Sequence, residues 1–321
     1  MALNKRVLIV TGPTGVGKTD FVLRLAAQFP AEVLNADIGQ MYTPLSIGTA
    51  KPDWQNELVP HHLFDILDTP KDFSCVQFRM LVIKMVNQIW AKGKTPIIVG
   101  GSTMYIKSLF YAQSQSYSQS QFAQNTVITS HFLDLNLAGA GLWQKLNLID
   151  PVRASELHER DLYRIQRALD IWHETGILPS QCRPNYSPIF PNMQLFIINA
   201  PKEVLYDRIN ARVDQMIQMG WLEEVAGLES DWKCFLKRKK IIGYEVILDY
   251  LDQKVPELAV CIELIQKRVR NYAKRQQTFW RGLQRDLLLQ ADMHKAVFEI
   301  DLTLQEVDLY IDRILQAFKT E

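Results

Sequence analysis

Residues 12–19 read Gly12-Pro13-Thr14-Gly15-Val16-Gly17-Lys18-Thr19, and no other stretch limits the fold so strongly. They meet every fixed position of the phosphate-cradling pattern G-x-x-x-x-G-K-[ST]. The pattern works only between a strand and a helix, where backbone N–H groups and the helix N-terminus converge on an anion. That context is present. Arg6–Val10 is a β-branched apolar run, and Phe21, Val22, Leu25 and Ala26 recur at helical spacing after the loop. Lys18 supplies a point charge, and the Thr19 hydroxyl can hold Mg²⁺. A chance match in a chain of this length is on the order of one in a hundred.

The rest of the first hundred residues continues the alternation. Val33-Leu34 reads as a second strand, Gln77–Trp90 as an amphipathic helix, and Pro96–Val99 as a third strand ending at Gly100-Gly101. Phe196-Ile197-Ile198 reads as a further strand. Strands alternating with helices predict an α/β fold with a doubly wound parallel sheet. Residues 141–176 read as helical, with Leu157, Leu162, Ile165, Leu169 and Trp172 on one side and Gly176 as the cap. After Pro201 helical patterns cover 204–219, 222–228, 244–251 and 257–285. Gln113–Gln124, QSQSYSQSQFAQ, is too polar to bury and reads as a loop. The expected division is a P-loop core over 1–111, a helical insertion over 112–192, and over 193–321 a return to the core with a helical, basic C-terminal region.

Charge and cysteine usage narrow the function. The net charge is only +1, but residues 233–285 hold 13 Lys/Arg against five Asp/Glu, a local +8 that leaves −7 elsewhere. A polyanion-binding face and an ordinary solvated helical surface both fit that asymmetry. Cys75, Cys182, Cys234 and Cys261 have neither the spacing nor the histidine partners of a zinc site. The apolar runs are far shorter than the roughly 20 residues that cross a bilayer. The N-terminus lacks the pattern of a signal peptide. The expectation is a cytoplasmic, monomeric protein without a membrane segment.

A phosphate loop alone does not identify the phosphate or the reaction. Asp37, just after the second strand, faces the same crevice as the loop in a doubly wound sheet. It could organise a metal and water, act as a general base, or merely cap a turn.

The motifs that follow are Gln40-Met41-Tyr42, Ile47-Gly48-Thr49-Ala50-Lys51-Pro52, His61-His62-Leu63, Asp65–Asp68 and Gly100-Gly101-Ser102-Thr103-Met104-Tyr105. Further on come Asp150-Pro151, His158, Asp161, Arg164-Ile165, Arg167-Ala168-Leu169, Arg208-Ile209, Arg212-Val213, Ile242-Gly243-Tyr244 and Tyr272-Ala273-Lys274-Arg275-Gln276. In this order they resemble the tRNA dimethylallyltransferase family, from about residue 6 to 281. The resemblance implies that the phosphate loop holds dimethylallyl diphosphate and that an adenine beside the anticodon, extruded from its stack, is the acceptor. By similarity Asp37 takes the proton of the adenine N6 amine and Ser102 positions the amine or the diphosphate. Lys18, Arg212 and a Mg²⁺ at Thr19 neutralise the leaving diphosphate. The tRNA anticodon arm is expected to contact Ile38, Gly39, Gln40, Tyr163, Arg164, Arg167, Lys240, Gly243, Tyr244, Lys274, Arg275, Gln276 and Arg281. Lys267, Arg270, Lys274 and Arg281 fall along one face of the last long helix, near Phe279 and Trp280, of which at least one is expected to pack in the core. His61, His62 and His158 read as structural hydrogen-bonders.

The chain departs from the family pattern in several places. Ile38-Gly39 stands where Ser-Met is usual, which removes a hydroxyl from the adenine pocket. Gly15-Val16 replaces Ala-Ser, which predicts weaker diphosphate binding. Ser102, Thr103, Tyr163 and Lys240 stand for the usual Thr, Gly, Gln and Arg, and residues 112–148 lose the family's pattern altogether. Two alternatives follow, a tRNA-binding paralogue with impaired catalysis and an isopentenyltransferase acting on free adenine nucleotides. The retained Lys18, Thr19, Asp37 and Arg212 oppose the first, and the +8 segment opposes the second.

Overall fold

The β-branched run after Arg6 becomes strand β1 (Val7–Thr11), buried along its whole length. In this computed structural model, which describes residues 5–111, 141–182, 186–289, 296–302 and 307–319, β1 lies inside a six-stranded sheet. The other strands are β2 (Ala31–Asn35), β3 (His61–His62), β4 (Thr95–Gly100), β5 (Met193–Asn199) and β6 (Val297–Asp301). Their order is β3-β2-β4-β1-β5-β6, and every ladder is parallel. The chain leaves β1 for one half of the sheet and reaches the other half through β5. The carboxyl end of β1 therefore opens on a crevice, the place where such sheets bind ligands.

The helices between these strands are α1 (Lys18–Ala26), α2 (Ile38–Met41), α3 (Cys75–Ala91) and α4 (Thr103–Ser108). Ser74 and Gln77 close the start of α3 with a reciprocal capping box. Beyond β5 come α8 (Lys202–Gln218), α9 (Trp221–Ala226), α10 (Ser230–Lys239), α11 (Tyr244–Leu251), the 31-residue α12 (Leu258–Leu288) and, after β6, α13 (Val307–Lys319). One core lies against the sheet around Leu8, Val10, Phe21, Leu25, Phe196, Ile198 and Leu205. A second is built by the later helices around Tyr42, Trp221, Trp232, Phe235, Tyr244 and Ile265.

The stretch expected as one helical run, 141–176, is three helices: α5 (Leu142–Ile149), α6 (Pro151–Ser155) and α7 (Leu162–Thr175). The breaks have local causes. The Asp150 carboxylate caps α6 through Arg153 N at 3.0 Å and also accepts from Ser180 N at 2.7 Å, and Asp161 caps α7 through Arg164 N. Gly176 ends α7 in the left-handed conformation. Leu162 is exposed, so the apolar stripe begins at Ile165.

The described chain separates into two compact units, residues 1–110 with 188–321, and residues 111–187. The return to the larger unit falls a few residues before the expected boundary at 192. Ile189 N already donates to Leu109 O at 3.1 Å, and Phe190 packs edge-on against Trp90. The predicted Gln113–Gln124 loop lies outside the described residues. No described helix is long and apolar enough to cross a membrane.

Candidate active site

The phosphate loop is held in shape by close packing. Gly12 sits where a Cβ would collide with the carbonyl oxygen of Ile198, so only glycine lets β1 and β5 approach this closely. Gly17 caps α1 with φ 100°. Between them Val16 is wholly buried in the sheet-side core. A hydroxyl at that position would face apolar side chains, so the Val16 departure has no bearing on diphosphate contacts through its side chain. Lys18 Nζ folds over the loop and donates to Gly12 O and Pro13 O at 3.2 and 3.1 Å. Burial lowers the Lys18 pKa, opposed by the Asp37 charge and reinforced by Arg212. Arg212 projects from α8 and couples to the same Asp37 carboxylate. One turn earlier on α8, Arg208 of the Arg208-Ile209 motif, to which the sequence assigned no role, donates to Val16 O at 3.4 Å.

Asp37 lies two residues past β2, at the start of α2. Its carboxylate makes no capping bond. The Asx turn here belongs to Asn35, whose Oδ1 accepts from Asp37 N at 2.9 Å and whose Nδ2 donates to Leu63 O and Asp37 O, both at 3.1 Å. This leaves the Asp37 side chain aimed at the Gly100-Gly101 turn, where Oδ1 accepts from Gly101 N at 2.6 Å. Among the described residues Oδ2 accepts nothing. Ser102 Oγ accepts from Ile38 N at 3.0 Å, which ties the loop after β4 to the loop after β2. Ile38 itself packs toward the helical core.

A crevice opens between these loops, lined by the polar side chains of Lys18, Thr19, Asn35, Asp37, Gln40 and His61 and by the apolar ones of Val22, Pro52, Phe64 and Val99. Charged and apolar side chains therefore share one lining. Two devices hold its wall. Gln40 Nε2 donates to Thr49 O and Ala50 O at 3.0 and 3.2 Å, while Lys51 pairs with Asp65 and donates to Tyr42 O at 2.9 Å. Behind the same loop the Glu224 carboxylate collects the N–H groups of Ser46, Ile47 and Gly48 at 2.9, 2.6 and 3.3 Å. Among the described residues no three His, Cys, Asp or Glu side chains converge on a point that would hold a metal. The Thr19 hydroxyl beside an anion site suits an ion such as Mg²⁺, which keeps its waters and takes its other ligands from phosphate.

Three residues expected on the RNA face, Gly243, Tyr244 and Gln276, are internal. Tyr244 is fully buried and donates to Glu224 Oε1 at 2.7 Å, and the neighbouring Gly243 leaves its Cβ space to the Trp221 ring. Gln276 is 2% exposed and spends both amide groups inside the protein. The reason is periodicity: Ala273, Gln276, Trp280, Leu283 and Leu287 form the buried stripe of α12. Lys267, Lys274, Arg275 and Arg281 lie on the exposed side. Arg270 does not join them, because it turns onto Asn210 Oδ1 at 2.5 Å and over the Tyr206 ring. Lys240 is exposed in the left-handed conformation after α10, whose Lys237, Arg238 and Lys239 are paired with Asp252 and Asp72. In the smaller unit Tyr163 and Arg164 are exposed at the start of α7, and Arg167 is half-buried. The histidines are structural hydrogen-bonders: His61 Nδ1 with Val59 O, His62 Nε2 with Glu32, and His158 Nδ1 accepting from Arg160 N.

The sequence pattern of the family described as IPP transferase matches residues 40–283. The chain belongs to the IPP transferase family. It is an enzyme of the tRNA dimethylallyltransferase kind. It is 34% identical to the tRNA dimethylallyltransferase of Fervidobacterium nodosum over 89% of this chain and 91% of that one. With the Geobacillus thermodenitrificans protein of the same name it shares 36% identity over 87% and 89%. Its fold is similar to the tRNA isopentenylpyrophosphate transferase of Bacillus halodurans, with TM-score 0.64, 29% identity and coverage of 99% and 96%. It is also similar to a eukaryotic dimethylallyltransferase acting on tRNA, with TM-score 0.73, 28% identity and coverage of 93% and 74%.

Proposed function

We propose that this member of the family transfers the dimethylallyl group of dimethylallyl diphosphate to the N6 amine of an adenine beside the anticodon of tRNA, with Asp37 as the base. The observation that carries the reading is a single crevice lined by Lys18, Thr19 and Asp37 together with Val22, Pro52, Phe64 and Val99. Diphosphate suits the charged members of that lining and a five-carbon chain suits the apolar ones. As N6 attacks the allylic carbon, that carbon's bond to the diphosphate oxygen breaks and the N6 proton passes to Asp37. Oδ1 is held by Gly101 N, and the proton is assigned to the other oxygen, Oδ2. Lys18, Arg212 and the backbone donors of residues 15–19 hold the departing charge in place. A Mg²⁺ at Thr19 would add positive charge to the same leaving group. Ser102 keeps the two loops in register by accepting from Ile38 N.

The exposed cations Lys240, Lys274, Arg275 and Arg281 of the larger unit are proposed to meet the anticodon arm, and Tyr163 and Arg164 of the smaller unit are proposed as tRNA contacts in their own right. Phosphate contacts of this kind orient an RNA, and the extruded base supplies specificity. The test is incubation with labelled dimethylallyl diphosphate and either unmodified tRNA or AMP. Label in tRNA alone is the expected result. Label in AMP alone identifies a free-nucleotide enzyme, and bound but unlabelled tRNA identifies an inactive paralogue.

A further inference from the structure

We infer that Gln276 is a positioning residue that sets the distance between the diphosphate loop and the Asp37 base. This rests on the reaction proposed above. The Gln276 carboxamide reaches from α12 to bridge two loops: Oε1 accepts from Thr14 N at 2.9 Å and Nε2 donates to Gly101 O at 2.8 Å. Gly101 in turn holds Asp37 Oδ1 through its own N–H. One unbroken chain of hydrogen bonds therefore runs from the anion loop, through a side chain of α12, to the carboxylate that takes the proton.

The fit around the bridge is tight. A Cβ on Gly101 would stand 2.5 Å from Gln276 Nε2, so the glycine is what lets the amide reach the turn. Tyr272, one turn earlier on α12, donates to the same Gly101 carbonyl at 3.5 Å. The amide is buried, so each of its bonds is made without competing water. Only a side chain that accepts at one end and donates at the other satisfies both Thr14 N–H and Gly101 C=O. Neither Glu nor Met does so at neutral pH.

The same helix carries Lys274, Arg275 and Arg281 on its outer side. Whatever seats α12 from outside also seats the loop and the base from inside. Gln276 thus joins the surface proposed for RNA to the reacting groups, although its own side chain touches neither substrate.

The test uses two variants of the full chain, with melting temperature confirming that each is folded. Gln276→Met fills the space without either bond. It is expected to weaken binding of inorganic pyrophosphate about tenfold, the scale of one buried hydrogen bond. Single-turnover transfer at saturating substrates is expected to slow about 100-fold, as misplacement of a reacting group does. Gln276→Glu keeps the acceptor toward Thr14 but sets a carboxylate against Gly101 O. Protonation restores a donor there, so its rate relative to wild type at the same pH is expected to recover as pH falls. A purely structural substitution leaves that ratio flat. A folded Gln276→Met that binds pyrophosphate and transfers like wild type, or a Gln276→Glu defect equal at every pH, overturns the assignment. Should wild type bind pyrophosphate but modify neither tRNA nor AMP, the reaction reading fails instead. The Gln276→Met pyrophosphate affinity then decides the inference alone.

Discussion

The proposed base Asp37 has its two carboxylate oxygens in different surroundings: Oδ1 is tied to Gly101 N, and Oδ2 accepts nothing among the described residues. Asp37→Asn retains the shape and an acceptor but removes the base. We expect transfer to fall by about 10²–10⁴, while pyrophosphate still binds. Transfer at the wild-type rate would remove the assigned base. The substitution also deprives Lys18 of the charge that raises its pKa, leaving burial and Arg212, which both lower it. The alkaline decline of pyrophosphate affinity, measured by calorimetry across pH, is therefore expected at lower pH in the variant. Glu32 is a different kind of buried carboxylate. Lys94, Lys92 and His62 surround it at 2.8, 3.0 and 2.7 Å, and their bonds outweigh burial to bring its pKa down to about 2. Its folded pKa is below its unfolded one, so the stabilisation is complete above the ordinary glutamate range near 4.5. It fades as pH falls toward 2. Glu32→Gln strands the ammonium groups of Lys92 and Lys94 and is expected to cost about 3 kcal/mol at neutral pH, with the gap to wild type closing in acid melts.

Helix α12 has one face for the interior and one for solvent, and the two carry different predictions. Lys274 on the outer face should weaken tRNA binding when changed to Ala, and the slope of log affinity against log salt should flatten by about 0.7–0.9. An unchanged slope would mean that no phosphate is neutralised there. The division between the faces was partly legible. Ala273, Trp280, Leu283 and Leu287 announce a stripe at steps of three and four, and Gln276 falls in its gap. Its polar side chain within Lys-Arg-Gln-Gln suggested the opposite face. Tyr244 misled for a similar reason, since its hydroxyl partner Glu224 lies 20 residues away on another helix. The β1–loop–α1 unit was plain because its signals are local. The strand β3 was not, because two residues, His61-His62, carry no periodicity and pair with Val33-Leu34 only in the folded chain. Strand β6 has an exposed Phe298 and an acidic Glu299, a weak pattern for an edge that exists only because β5 is there to pair with it.

For the molecule as a whole, a net charge of +1 conceals a basic region set among acidic surroundings, so electrostatic steering of a polyanion depends on local potential instead of the total. The parallel sheet brings three strand ends to one edge beside the proposed reacting groups: Thr11 before the Gly12–Thr19 loop, Asn35 before Asp37 and Gly100 before Ser102. That much follows from the parallel order and was expected from the alternating pattern. The helical clamp on the 46–52 loop was not, because its contacts join residues about 177 positions apart. One consequence concerns the way the chain leaves and re-enters the larger unit. Leu109 O and Ile189 N are hydrogen-bonded neighbours, so the ends of residues 111–187 meet at a single doorway. Such a segment is a cassette. Closing its gap with a short Gly/Ser bridge costs little more than loop entropy. We expect the shortened chain to melt cooperatively and to bind pyrophosphate, and failure to fold would refute this. A cassette can be traded for one of another shape while the strands and the phosphate site keep their order, which lets the accessory unit diverge without disturbing the chemistry.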